Sequence, residues 1–220
     1  MEKVMDTGRR IMDAAARLIG SDGAVAITTR RIAEEADVNP AALNYHFGSK
    51  ERLIDLALKE SMESLFDDWE RILAIDGMPL PVRIYSMLDY TMERVTESPG
   101  IVGSHLFDPL VSRDRRVAFA GAIGEFLRTL PADLEEDLPL QAKDIRLYLG
   151  QVVLLTVTAA LIPELFRAMT EEDISSGPAR SRFITGTMKR FLRIELNASD
   201  IIHSDIARVR ELTFNHRGRT

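Results

Sequence analysis

The 220-residue chain carries 28 Lys and Arg against 34 Asp and Glu, a formal net charge of −6, and no cysteine. That composition excludes a disulfide framework, a thiolate metal site and a cysteine nucleophile. A hydrophobic share of 45% suits an ordinary globular chain, long enough for one or two domains with their own cores. No charged-then-apolar N-terminal stretch marks an export signal, so a cytoplasmic location is expected.

The most telling segment is TTRRIAEEADVNPAALNYHFGSK, residues 28–50. It predicts two short helices joined by a tight turn. Thr28 or Thr29 can cap the first helix, because a side-chain oxygen accepts from the free N–H groups of the first turn. Ile32, Ala33 and Ala36 fall at helical spacing and form a narrow apolar stripe, and Ala33 leaves room for a second helix to cross close by. Asp37 stands where the chain must turn and tolerates a left-handed conformation better than most residues. Val38 buries the turn. Asn39 is a good N-cap, and Pro40 at the first helical position loses nothing by lacking an N–H. Leu43 and Phe47, four apart, share an inward side.

What remains outward on the second helix is Pro40, Ala41, Ala42, Asn44, Tyr45 and His46. Small residues at its start let a helix press into a DNA major groove, where Ala can meet a thymine methyl and Asn can bond an adenine edge twice. Tyr45 and His46 have donors for phosphate oxygens, which orient without reading sequence. Lys50 and the N–H groups opening the next helix form a phosphate clamp. Arg30 and Arg31, in the first turn of the first helix, offer one contact to the opposite strand. This is a helix-turn-helix pattern. The competing readings are an ordinary helical hairpin with a polar surface, and a helical adaptor whose helix-turn-helix binds protein; salt-dependent DNA binding separates the latter.

After the motif, Lys50 opens a long helix to about Ile75 that joins head to body without a flexible linker. Asp76-Gly77 with Pro79 and Pro81 ends it. A helix from about Leu80 to Thr96 follows, then a break at Ser98-Pro99-Gly100. Ile101 to Leu110 is a short apolar segment, Arg113 to Leu130 another helix, and Pro131 to Pro139 an acidic, solvated loop. Two helices remain, about Leu140 to Met169 and about Pro178 to Glu195, separated by the polar loop 170–177. The uncharged run Leu147 to Pro163 is slightly short for a membrane span of about 20 residues, so a buried central helix is expected and no membrane. The tail from Asn197, with Arg208, Arg210, Arg217 and Arg219 among apolar Ile201, Ile202, Val209 and Leu212, predicts one more helix, fraying from His216. The organisation expected is therefore all-α: a helix-turn-helix domain over 1–49, a larger helical domain over 50–196, and the tail 197–220.

Residues 9–58, RRIMDAAARLIGSDGAVAITTRRIAEEADVNPAALNYHFGSKERLIDLAL, resemble the DNA-binding domain of the TetR/AcrR family of transcriptional regulators. The apolar first helix, the T-x-R-x-I-A-x-x-A core, the L-x-Y-H-F end of the second motif helix and the S-K-x-x-L that follows carry the likeness. The resemblance implies an N-terminal three-helix DNA-binding domain, a C-terminal ligand-binding and dimerisation domain, and a homodimer on a palindromic double-stranded operator. It implies a repressor that lets go when a small effector enters the C-terminal domain. By position, Thr29 and Arg30 would touch backbone or nearby bases, Pro40, Ala41, Ala42 and Asn44 would face base edges, and Tyr45, His46 and Lys50 would hold phosphates. Asp37 stands where the family frequently has Gly, and Asn44 where it frequently has Tyr, so no operator sequence can be borrowed.

In that family the last two long helices form a four-helix dimer interface. Gly150, Ala159, Ala160 and Gly186 permit such close approach here, although both helices could equally be core. Candidate pocket residues are Phe66, Trp69, Met87, Tyr90, Met92, His105, Phe107, Tyr148 and Thr156. Most Met and aromatic residues at such spacing are plain core, but the mix suits a mainly hydrophobic ligand. Residues 1–60 carry nine Lys and Arg against ten Asp and Glu, so only a local positive face can serve DNA. His46, His105, His203 and His216 lack ligand spacing, and no phosphate loop, H-E-x-x-H or G-x-S-x-G motif occurs. No enzyme activity, cofactor or metal is expected.

Overall fold

In the computed structural model, residues 2–106, 118–128, 138, 140–175, 177–196 and 207–213 are described, and every regular element among them is helical. The chain forms two compact units, Met1–Ser64 with Val95–Phe119, and Leu65–Arg94 with Ala120–Thr220.

The first unit begins with α1 (Glu2–Asp22). Its buried residues Ile11, Ala14, Ala15, Leu18 and Ile19 recur at helical spacing and form one apolar stripe. A short 3-10 turn, Ala24–Ala26, leads to α2 (Thr29–Glu35) and α3 (Pro40–Phe47). Their buried Ile32, Ala36 and Leu43 join the α1 stripe, together with Leu53, Ile54 and Ala57 from the start of α4 (Lys50–Leu73). α5 (Leu80–Glu97) ends in this unit, and α6 (Pro99–Leu106) follows after one residue. α6 lies against the end of α1. A Cβ on Gly100 would collide with the Ile19 carbonyl oxygen and stand 2.7 Å from Gly23 N and 2.9 Å from Gly20 O, so only glycine allows this approach. The Ser104 hydroxyl accepts from Ala24 N at 2.8 Å in the buried seam.

The second unit takes the end of α4, most of α5, most of α7 (Ala118–Phe126), and then α8 (Ala142–Leu161), α9 (Pro163–Thr170), α10 (Gly177–Thr187) and α11 (residues 207–213). α10 widens into a π-helical turn, Met188–Leu192, and stops where Arg193 turns left-handed at φ 57°. The Asp144–Leu161 window of α8 has mean hydropathy 1.4 and is long and apolar enough to cross a membrane. Ile145, Leu149, Val152, Val153, Thr156, Val157 and Ala160 are buried along it, the pattern of a helix with one core face.

One predicted helix, about Leu140 to Met169, is two. Pro163 has no N–H to continue the ladder and disfavours a helical residue before it; Ile162 accordingly takes φ −128°, ψ 61°, and the chain restarts as α9 with Pro163 at its first position. Of the predicted helix 113–130, the part before residue 118 lies outside the described residues, as does most of the acidic loop 131–139. The tail contributes the helix 207–213, with Val209 and Thr213 buried.

Candidate DNA-reading surface

Local chemistry fixes the geometry of α2 and α3. Thr28 caps α2 by accepting from Arg31 N at 3.3 Å. After Ala36 the chain reverses through Asp37 at φ 53°. Two backbone bonds close the turn: Asp37 N donates to Glu34 O at 3.2 Å and Val38 N to Ala33 O at 3.0 Å. A non-glycine residue here carries a left-handed strain that Asp bears better than most. Asn39 then caps α3 by accepting from Ala41 N at 2.9 Å, with Pro40 at its first position. Gly48 at φ 80° ends the helix, its N–H donating to Asn44 O at 2.9 Å, and Ser49 caps α4 by accepting from Arg52 N at 3.1 Å.

Leu43 turns fully inward, and this aims the opposite side of α3 at solvent. Pro40, Ala41, Asn44 and Tyr45 are exposed, Tyr45 at 79%. Ala42 is half-buried and packs against the core, and His46 is also half-buried. The His46 ring meets Tyr45 edge-on at 5.2 Å and lies over Gly8 of α1, where an added Cβ would stand 3.3 Å from Nδ1. Thr29 is half-buried and Arg30 exposed. The Lys50 ammonium donates to Ile27 O at 3.2 Å, which leaves two of its three N–H donors for an anion.

The cations around this surface are already paired. Arg30 bonds Glu34 at 2.8 Å one turn along, and this carboxylate raises its pKa. Arg17 meets Glu35 at 3.0 Å, and Arg31 meets Asp22. Solvent screens such exposed pairs, so each holds its arginine only weakly. Arg10 differs from them. From α1, its Nη2 donates to the turn carbonyls Ala36 O at 2.6 Å and Asp37 O at 2.9 Å. Sequence reasoning did not single out this residue.

Residues 11–57 match the family described as bacterial regulatory proteins, tetR family. The N-terminal segment of the chain is thus similar to the TetR family. The HTH-type transcriptional regulator BetI of Rhizobium meliloti is 42% identical over 71 residues, 31% of this chain and 35% of that protein. The match thus spans about a third of the length of this curated relative. Beyond it the likeness is one of fold. A tetR-family transcriptional regulator from Streptomyces coelicolor superposes with a TM-score of 0.60 at 13% identity, covering 93% of this chain and 88% of its own. AmtR of Mycobacterium smegmatis gives 0.52 at 21% identity, covering 94% and 92%. The family is one of transcriptional regulators that carry this DNA-binding helix-turn-helix, not of enzymes.

The candidate pocket residues are distributed unevenly in the TetR fold. Phe66, Trp69 and Phe126 form a cluster in the second unit, with Phe66 stacked on Phe126 at 5.5 Å and Trp69 edge-on to both. The Trp69 indole donates to Thr91 Oγ1 at 2.9 Å, and Thr91 donates on to Met87 O at 2.7 Å. Tyr90 donates to the buried carboxylate of Asp68. Met92 and Thr156 are buried and Tyr148 half-buried in the same unit. His105 belongs to the first unit, its Nε2 3.3 Å from Leu58 O. Phe107 lies outside the described residues.

Proposed function

We propose that this chain is a ligand-responsive, homodimeric repressor that binds a palindromic operator and is released by a small, mainly hydrophobic effector. The observation that carries the DNA-reading half is the face of α3: Asn44 and Tyr45 exposed, small Pro40 and Ala41 at the leading end, and Leu43 locked into the core behind them. Asn44 reads a base edge in this proposal, while Tyr45, His46 and Lys50 hold phosphates. Thr29 and Arg30 reach the neighbouring backbone, and Arg30 exchanges Glu34 for phosphate.

Dimerisation draws support from α8. Leu147, Leu154 and Leu155 are 56, 57 and 38% exposed, and with exposed Gln151 and Thr158 they form one stripe opposite the buried side. Apolar stripes of this kind are uncommon on a free surface and suit a self-complementary contact. Effector binding fits the aromatic cluster of Phe66, Trp69 and Phe126, with Met87 and Tyr90 beside the Thr91 that accepts from Trp69. The long helix α4, continuous from Lys50 to Leu73, would carry the change to the reading head, with a coupling of about 1–3 kcal/mol. The protein would work in the cytoplasm.

The test is selection of bound duplexes from a random DNA pool at physiological salt. A palindromic site is expected, lost with Tyr45→Ala and relaxed at one base in each half-site with Asn44→Ala. Recovery of no enriched sequence by folded protein would sink the DNA-reading proposal, and an unaltered preference in Asn44→Ala would remove Asn44 as a reader.

A further inference from the structure

We propose that Arg10 is a positioning residue for the recognition helix: one guanidinium on α1 holds the left-handed turn between α2 and α3 and so fixes the angle at which α3 meets DNA. The inference rests on the DNA-reading proposal above.

The turn has an intrinsic weakness. Its centre, Asp37, sits at φ 53° without the freedom of glycine, and the carbonyls of Ala36 and Asp37 have left the α2 ladder. The Asp37 side chain is fully exposed and adds little packing. Arg10 compensates from outside the motif. Its Nη2 donates to Ala36 O at 2.6 Å and Asp37 O at 2.9 Å, with the Asp37 carboxylate at 3.5 Å as a weaker third contact. A cation donating to two carbonyls is a charge-assisted arrangement, stronger than neutral bonding, and the planar guanidinium supplies it with little loss of freedom. Arg10 directly precedes Ile11, which is fully buried in the core, so its backbone is anchored. Two residues earlier, Gly8 gives the His46 ring its place against α1. α1 therefore touches the motif at both ends of α3: at the turn through Arg10, and near the C-terminus through Gly8 and His46.

A residue that positions and a residue that contacts phosphate leave different signatures. Removing a phosphate contact weakens all DNA binding and lowers the slope of log K against log salt by about 0.9. Loosening the turn lowers affinity for the specific site alone, because nonspecific binding does not need α3 at one angle. The experiment uses full-length protein, the duplex recovered by selection with the wild type, and a scrambled duplex of equal length. Arg10→Met is expected to lose about tenfold in specific affinity, from bonds to a charged donor, with scrambled-duplex affinity and salt slope unchanged. Arg10→Lys, which keeps the charge and can reach one carbonyl, should recover part of the loss. Asp37→Gly removes the left-handed strain, so Arg10→Met in that background should cost less. Without DNA, hydrogen exchange at the Val38 amide, bonded to Ala33 O, should speed up in Arg10→Met.

A salt slope reduced by about one, an equal loss on both duplexes, or an equal loss in the Asp37→Gly background would overturn the proposal. So would unchanged Val38 exchange, which needs no DNA and decides the matter even if the chain recognises no sequence. Failure of the wild type to prefer any duplex, with Val38 exchange raised in Arg10→Met, would instead count against the DNA-reading proposal while leaving the clamp in place.

Discussion

Gly100 offers the sharpest test of how the first unit is assembled. Gly100→Ala places a methyl group onto the Ile19 carbonyl oxygen, 2.7 Å from Gly23 N and 2.9 Å from Gly20 O. All three are main-chain atoms at the end of α1 and the residue after it, so no rotamer change relieves the clash and α6 must move away. Overpacking of this kind costs about 1–3 kcal/mol. The shift also strains the buried bond from Ala24 N to Ser104 Oγ, now 2.8 Å, and an orphaned buried N–H costs about 1–3 kcal/mol more. A combined loss of about 3 kcal/mol corresponds to roughly a hundredfold rise in local opening, read directly as hydrogen exchange at the Ala24 amide. Ser104→Ala removes the acceptor without the clash and should raise the same exchange by a smaller factor. The double variant should fall short of the product of the two, since both act through one bond. Unchanged Ala24 protection in Gly100→Ala would refute the close seating of α6 on α1.

Three further outcomes follow from the second unit. Trp69→Phe deletes the donor to Thr91 and leaves a void beside Phe66 and Phe126; urea unfolding should show a loss of about 2–3 kcal/mol, and a change within about 0.5 kcal/mol would show that the indole is not packed as described. Leu154→Glu, on the exposed side of α8, should leave helicity unchanged by circular dichroism and, if the chain pairs through α8 as proposed, yield monomers in sedimentation; an unaltered oligomeric state would count against that interface. Asp89 has its pKa raised from 3.8 by burial, which Arg180, 3.6 Å away, only partly offsets. The folded chain therefore holds this proton more tightly than the unfolded one, and the stability it contributes is present below pH 3.8 and lost as pH rises through the raised value. Urea midpoints for Asp89→Asn should accordingly fall less than those of the wild type across that window; parallel curves would contradict the burial argument.

The parts of this fold visible in the sequence are those decided within a few residues. Thr28, Asp37, Asn39 and Pro40 each act on backbone at most four positions away, so their residue types announce the caps and turn of the motif. The break at Ile162 was equally local, since Pro163 stood in plain view, but the apolar run from Leu147 suggested continuity more strongly than one proline suggested interruption. Contacts between distant segments left no such trace. Arg10 meets the turn 26 and 27 residues away, and Ser104 meets Ala24 across 80; an arginine on a mixed helix face, or a serine on a short apolar one, has no spacing that reveals its partner. The aromatic residues show the same limit from the other side. Their types suggested a pocket, but Trp69 and Tyr90 each have an internal hydrogen-bond partner, and that pairing depends on the register of α4 against α5.

Charge gives the most instructive case. The count over residues 1–60 is near balance, a poor match by itself for a polyanion. The structure shows how the balance is arranged: Arg17, Arg30 and Arg31 each face a carboxylate, on Glu35, Glu34 and Asp22, while Arg10 and Lys50 mainly face main-chain carbonyls, Arg10 with the Asp37 carboxylate as a weaker contact at 3.5 Å. The two groups have different consequences. A carboxylate partner is exchangeable, because phosphate offers the arginine the same chemistry and water screens the departing acid. A carbonyl partner is part of the fold, so the cation that holds it does structural duty first. Residues 1–60 are close to neutral in sum, so long-range attraction to arbitrary DNA would be weak on the proposed reading. On the proposed reading, affinity would come from the shape and edges presented by α3, and whatever holds α3 at its angle would matter as much as what α3 displays.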